Sequence, residues 1–172
     1  MKFIIYLSLL FFSLSLNAAP VDVKEIIQEN FSIKVSVQKG KIILKNDELQ
    51  AIKKSAKLPV KSKIYRYYKV SSDDKLLGFA LLITQKIRTK KATVLYFIQT
   101  DEKVKFIEIL SFLEPREYIP KDVWISQFED KNTTDRYEIG ADIPTISGAT
   151  LSARSITDGA RLAIAIYRIK LK

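Results

Sequence analysis

The residues best suited to chemistry are concentrated in one stretch, 142–161, which reads DIPTISGATLSARSITDGAR. Within it, Ser147-Gly148-Ala149-Thr150 is a turn of small residues that leads into a helix. Gly148 allows a positive φ, and the free N–H groups of a first helical turn attract anions. Hydroxyl groups that could donate to phosphate oxygens lie close by, at Thr145, Ser147, Thr150, Ser152 and Ser155, and Arg154 could add charge. The pattern fits a phosphate site, but also an ordinary helix cap, where Ser and Thr are favoured.

The composition removes most other catalytic chemistry. The 172 residues include no His and no Cys. An imidazole base, a Ser-His-Asp triad, a thiol nucleophile, a disulfide and a Cys- or His-held metal are therefore excluded. Redox work in this chain would need a bound organic cofactor.

Other notable side chains have simpler explanations. Trp124 and Phe128 lie four residues apart on a short helix, which favours core packing over a cofactor platform. Glu114 and Glu117 flank Arg116, so we expect a local ion pair rather than acid–base catalysis. Asp158 and Arg161 are predicted to be surface residues near the start of the last helix. We find no convincing active site for turnover of a substrate.

The N-terminus has the layout of a secretory signal peptide. Met1-Lys2 carries positive charge, the 14 residues of Phe3–Leu16 are uncharged and mostly apolar, and small residues follow at 17–20. The apolar run is shorter than the roughly 20 residues of a membrane-spanning helix. We predict cleavage after Ala18 or Ala19 and a periplasmic mature protein without a transmembrane span. An uncleaved N-terminal membrane tether is the alternative.

The net charge of +10 comes from basic residues that are scattered along the chain. No dense basic run and no nucleic-acid-binding motif is present, so we do not expect nucleic acid as a partner. We interpret the charge mainly as a solvated surface. Electrostatic docking of an acidic redox partner is the second interpretation.

Periodicity predicts the elements that would position the 142–161 stretch. Helices are expected over 21–31, 46–56, 121–129 and 152–170, and strands over 32–37, 63–70, 75–87, 92–99 and 104–112. Short polar turns between successive strands favour antiparallel pairing. The expected fold is a single α+β domain with an antiparallel sheet, flanking helices and a C-terminal helix that follows the Ser-Gly-Ala-Thr loop.

Several blocks resemble one family when they are read in order. They are Leu77-Gly78-Phe79-Ala80, the EPREY of 114–118, the WISQFE of 124–129, the SGATLS of 147–152 and the SITDG of 155–159. Over residues 61–168 the chain is similar to the FMN-binding domain family. That family includes the flavin-carrying subunits of the Na⁺-translocating NADH:quinone reductase and of the Rnf complex, and small exported members. We therefore divide the chain into a signal peptide (1–19), an N-terminal helix–strand–helix region (20–60) and an FMN-binding domain (61–172).

The resemblance implies FMN as the cofactor. Family members often carry it covalently, through a phosphodiester to the last Thr of the motif, made by a separate flavin transferase from FAD. Carried over, Thr150 is the attachment residue, Ser147, Gly148 and Ala149 shape the loop, and Thr145, Leu151 and Ser152 complete the candidate site. Where the motif usually has Asp three residues before the Ser, this chain has Pro144, and Asp142 lies two positions earlier. Both covalent and non-covalent FMN are open at this point.

These observations favour a periplasmic electron-transfer flavoprotein that relays electrons to or from a membrane or exported redox partner. We interpret it as a carrier rather than an enzyme with its own substrate. The alternative is a flavin-free envelope binding or assembly module that uses the same fold and its basic surface. A flavin-dependent reductase is a third, weaker hypothesis, since no acid–base residue is identifiable.

Overall fold

The structure, a computed structural model, describes residues 22–172, and the signal-peptide prediction lies outside these described residues. Five strands form one antiparallel sheet in the order β1-β2-β3-β4-β5, so every strand pairs with its neighbour in sequence. The strands are β1 (Ser36–Ile43), β2 (Ile64–Ser72), β3 (Lys75–Lys86), β4 (Lys91–Gln99) and β5 (Val104–Phe112). The predicted α+β fold with an antiparallel sheet is confirmed.

Within the described residues 22–172, four α-helices accompany the sheet. They are α1 (Val23–Glu29), α2 (Asn46–Ala56), α3 (Asp122–Ile125) and α4 (Thr150–Lys170), with short 3₁₀ turns at Arg116–Tyr118 and Ser126–Phe128. The 21-residue α4 is the long C-terminal helix, and it contacts α2, β3 and β4. Among the described residues, no helix combines the length and apolar character needed to cross a membrane.

The sheet buries both of its faces, and β4 shows how its sequence permits this. Because strand side chains alternate between faces, Val94, Tyr96 and Ile98 join the larger core shared with α2, α3 and α4. Leu95 and Phe97 point the other way and form a smaller core with Ile27 of α1 and with Phe106. Phe97 and Phe106 stack with ring centroids 5.1 Å apart. Strand β4 is therefore continuously apolar over residues 94–98, and α4 lies against the larger core.

Three boundaries differ from the sequence prediction. The first strand lies at 36–43 rather than at the predicted 32–37. It is an edge strand, and because its Lys39 and Lys41 face solvent, its sequence lacks the alternation of apolar and polar residues that would identify it. The predicted helix over 121–129 is one turn of α-helix, α3, followed by a 3₁₀ turn. Helix α4 starts at Thr150, two residues before the predicted start, so the motif's Thr is itself the first helical residue.

Candidate functional site

The Ser-Gly-Ala-Thr turn ends directly at the start of α4. Gly148 has φ +79°, a left-handed conformation that suits glycine, and Ala149 is the buried cap residue. Thr150 follows as the first helical residue and is exposed. Its Oγ1 donates a hydrogen bond of 3.2 Å to the carbonyl of Ile146, which fixes the hydroxyl against the turn. An exposed hydroxyl group therefore lies at the N-terminus of α4.

The first turn of α4 leaves amide groups available beside this hydroxyl. The amide of Ala153 donates to the carbonyl of Ala149 at 3.1 Å, which begins the helical hydrogen-bond ladder. The amides of the three preceding residues, 150–152, lie ahead of that ladder, as at any helix start. Together with the helix dipole they form an environment that favours a phosphate group.

A cavity of about 200 Å³ lies next to Thr150. One wall is the segment 148–152. The opposite wall comes from Ile87 and Arg88, just after β3, and from Glu114 and Tyr118, which follow β5. A second cavity of about 530 Å³ shares Ile87 and the exposed Leu151 with the first. The two cavities together reach the 300–1,000 Å³ or so that small-molecule sites occupy, which the first alone does not.

Glu114 holds the β3–β4 turn in place at the first cavity. Its buried carboxylate accepts hydrogen bonds from the amides of Arg88, Thr89 and Lys90 at 3.1, 2.6 and 2.7 Å. The amides of Lys90 and Thr89 lower the pKa of Glu114 below its usual range, against the effect of desolvation. The prediction that Glu114 forms an ion pair with Arg116 is wrong. Its carboxylate instead accepts hydrogen bonds from backbone amides about 25 residues away in the sequence.

The structure brings together five of the seven predicted site residues. Gly148, Ala149, Thr150, Leu151 and Ser152 all line the first cavity. Ser152 is buried, whereas Thr145 and Ser147 are exposed and lie outside the cavity lining. Two other proposed phosphate donors lie further along α4, where Ser155 donates to Gln85 at 3.2 Å and Arg154 lines the second cavity.

Asp142 and Pro144 hold the loop that precedes the motif. The carboxylate of Asp142 accepts from the amides of Tyr137 and Glu138 at 3.0 and 2.7 Å and pairs with Lys131 at 3.1 Å. Desolvation opposes ionisation, but the Glu138 amide and Lys131 outweigh it, so the pKa of Asp142 is lowered. Asp142 is thus fully engaged in its own turn. The carbonyl of Pro144 accepts from Trp124 Nε1 at 2.9 Å.

The SITDG block of residues 155–159 positions α4 on the sheet. Tyr96 Oη on β4 donates to the carbonyl of Ile156 at 2.9 Å. Gly159 makes room for the Tyr96 ring, since a Cβ there would lie 2.1 Å from Tyr96 Oη. Asp158 and Arg161, predicted as surface residues, are partly exposed and pair at 2.5 Å. Trp124 and Phe128 lie in the core as predicted, with ring centroids 5.3 Å apart.

Sequence reasoning missed the wall opposite the motif. The sequence predicts Ile87 as the end of a strand and Arg88 as part of a basic turn, and nothing in their spacing relates them to Thr150. Glu114 and Tyr118 belong to one of the blocks that resemble the family, which is the signal that could have identified them. The role of that block at the site emerges only from the packing of β3 and β5 beside α4.

The chemical groups present fit FMN. Thr150 with the amides of 150–152, and the guanidinium of Arg88, would hold the phosphate. Ile87, Leu151 and Tyr118 supply apolar and aromatic surface of the kind a flavin ring packs against. When bound, FMN supplies one- and two-electron redox chemistry that no side chain of this Cys-free chain provides.

Comparison with known proteins identifies a family for the segment that contains this site. Residues 88–165 match the family model described as FMN-binding domain, and this segment contains the whole motif together with Arg88, Glu114 and Tyr118. No curated protein matches the chain significantly. The family match confirms the resemblance noted in the sequence, over residues 88–165, and supports FMN as the cofactor.

Proposed function

We propose that this protein is an exported electron-transfer flavoprotein whose FMN is attached to Thr150. The observation that carries the proposal is the position of Thr150. Its exposed hydroxyl is at the first residue of α4, beside a cavity, within the segment that matches the FMN-binding domain. The family match supports a flavin-binding, electron-transfer role, and the attachment, compartment and partners are the further steps of the proposal.

The attachment would be a phosphodiester made by a separate flavin transferase. The Thr150 oxygen loses its proton and bonds to the FMN phosphorus of FAD. The pyrophosphate bond of FAD breaks in the same exchange, and AMP leaves. No net oxidation or reduction occurs. The exposure of Thr150 supports this step, because a second enzyme must reach the hydroxyl.

The rest of the site would tune and protect the cofactor. Arg88 adds positive charge near the phosphate, where its guanidinium would neutralise the phosphate charge. Glu114 fixes the backbone of the turn that carries Arg88. Donor and acceptor would be a membrane oxidoreductase or another exported redox protein, in keeping with the signal-peptide pattern of residues 1–19.

The test is a visible spectrum and a denaturing intact mass of protein exported from a host that carries the flavin transferase. We expect yellow protein with the mass increment of FMN, and loss of the increment in Thr150→Ala. Thr145→Ala is the matched control, because Thr145 is an exposed threonine of the same loop outside the cavity lining. The control should keep the full increment.

The other possible results of this experiment each favour a different function. Yellow protein that releases free FMN on denaturation would retain the redox role and reject the covalent bond. Colourless protein of unmodified mass would reject the carrier and favour the flavin-free binding or assembly module. Catalytic reduction of a small oxidant by the yellow protein would favour the reductase.

A further inference from the structure

A third and larger cavity lies further along α4 from Thr150. It has a volume of about 680 Å³, is open to solvent on one side, and lies between the C-terminal end of α2, the connector 133–139 and α4. It shares Arg154 and Asp158 with the 530 Å³ cavity but none of residues 147–152. We refer to it as the basic cavity. Its volume is typical of a small-molecule site.

Arginines dominate the wall that α4 contributes. Arg154, Arg161 and Arg168 all line the basic cavity. Their spacing of seven residues keeps them on one face of the helix, about 10 Å apart along its axis. Lys57 and Arg136 add charge from the other walls.

The charges of the basic cavity are only partly balanced. Its lining includes five basic side chains against three acidic ones: Asp135, Glu138 and Asp158. Arg136 pairs with Glu138 at 2.8 Å, and Arg161 pairs with Asp158 at 2.5 Å. Within residues 22–172, no carboxylate pairs with Arg154, Arg168 or Lys57, and Arg168 donates only to the hydroxyl of Thr133 at 3.2 Å. The excess of positive charge is therefore concentrated along α4.

Arg161 carries an unused donor at this wall. Its Nη2 is taken by Asp158, but its buried Nε has no hydrogen-bond partner among the described residues. A buried donor of a charged group is costly to leave unpaired. That Nε is inaccessible to a ligand, so an oxyanion would meet the outer end of the guanidinium instead. There Nη1, which is neither buried nor paired among the described residues, and the second N–H of Nη2 form a fork that matches two oxygens of a carboxylate or phosphate.

We propose that the basic cavity is a binding site for a small molecule that carries at least two anionic oxyanion groups, phosphate or carboxylate. One group is held by Arg161 and the other by Arg154. This site goes beyond the proposed flavin function and does not depend on it. The flavin would be anchored at Thr150, which is absent from the lining of the basic cavity.

The experiment is isothermal titration of the purified chain with pyrophosphate and, separately, with succinate, at an ionic strength of about 0.15 M, which screens non-specific attraction. We expect saturable binding of one ligand per chain. Arg154→Gln should weaken it about tenfold or more through loss of a charge-assisted contact. Arg161→Lys should weaken it similarly although charge is kept, because lysine lacks the fork.

Arg66→Gln is the matched control, since it removes one charge from an exposed position on β2. It should bind like the unaltered chain, and thermal melts should show that all variants are folded. Binding of pyrophosphate alone identifies a phosphate ligand, binding of succinate alone a dicarboxylate, and binding of both a general oxyanion site. Absence of saturable binding, or unchanged affinity in either cavity variant, would overturn the proposal. Flavin content, measured in the same samples, reports separately on the Thr150 proposal.

Discussion

Trp124 donates a hydrogen bond from its indole Nε1 to the carbonyl oxygen of Pro144 at 2.9 Å. This bond joins α3 to the loop three residues before Ser147. The same indole is buried against Phe128, so the anchor belongs to the core rather than to the surface. Pro144, which stands where the family's motif usually has an Asp, therefore helps to position the site through its backbone carbonyl and not through its side chain.

Trp124→Phe tests this anchor. The variant keeps an aromatic ring but loses the donor and leaves the Pro144 carbonyl without its partner. We expect the free energy of unfolding to fall by about 1–3 kcal/mol, from the lost bond and imperfect packing. Denaturant unfolding measures the change. Val123→Ala, at the exposed neighbouring position of α3, should change stability by less than about 0.5 kcal/mol. Equal losses in both variants would contradict a specific role for the indole.

Pro144→Asp tests the departure from the motif. The substitution restores the acidic residue that the family usually has three positions before the Ser, and the backbone carbonyl that accepts from Trp124 remains. We expect a larger fraction of chains with covalent FMN when the flavin transferase is present, measured by intact mass. Thr145→Asp, which places the same charge one residue later, should not raise that fraction. If the two variants behave alike, the position of the carboxylate is irrelevant.

Tyr96 and Gly159 form one packing unit that holds α4 against β4. In Gly159→Ala the new Cβ would lie 2.1 Å from Tyr96 Oη, so the variant should lose about 1–3 kcal/mol of stability. Tyr96→Phe should lose about 0.5–1.5 kcal/mol with its hydrogen bond to Ile156. The double variant should lose less than the sum, because the atom nearest the new Cβ is gone.

Tyr137→Phe is the control for this cycle. Tyr137 also donates to a backbone carbonyl, that of Lys131 at 3.2 Å, but is not among the nearest neighbours of Gly159. Its effect and that of Gly159→Ala should add. If the stability losses of Tyr96→Phe and Gly159→Ala also add in the double variant, then Tyr96 and Gly159 do not act as a unit. All free energies come from denaturant unfolding of the same preparations.

The sequence was informative where local pattern and turn chemistry decide the structure. Alternation over 104–112 and the turns between β3, β4 and β5 predicted an antiparallel meander, which the sheet confirms. The edge strand β1 was misplaced because its exposed lysines carry no apolar alternation. The partners of Glu114 could not be predicted, since a carboxylate that binds backbone amides leaves no complementary charge in the sequence. The wall opposite Thr150 is likewise a product of tertiary packing.

Glu114 should make part of the stability depend on pH. Its pKa is lowered from the usual value of 4.5 by the amides of Lys90 and Thr89. The stabilisation is therefore complete above the unfolded-state pKa and is lost as the pH falls through the lower, folded-state pKa. Glu114→Gln should lower Tm at about pH 7, and its difference from the unaltered chain should shrink towards about pH 3. Glu117→Gln, at an exposed neighbouring position, should show little difference at either pH. A difference for Glu114→Gln that does not vary with pH would mean that the carboxylate's charge has no part in holding the β3–β4 turn beside Thr150.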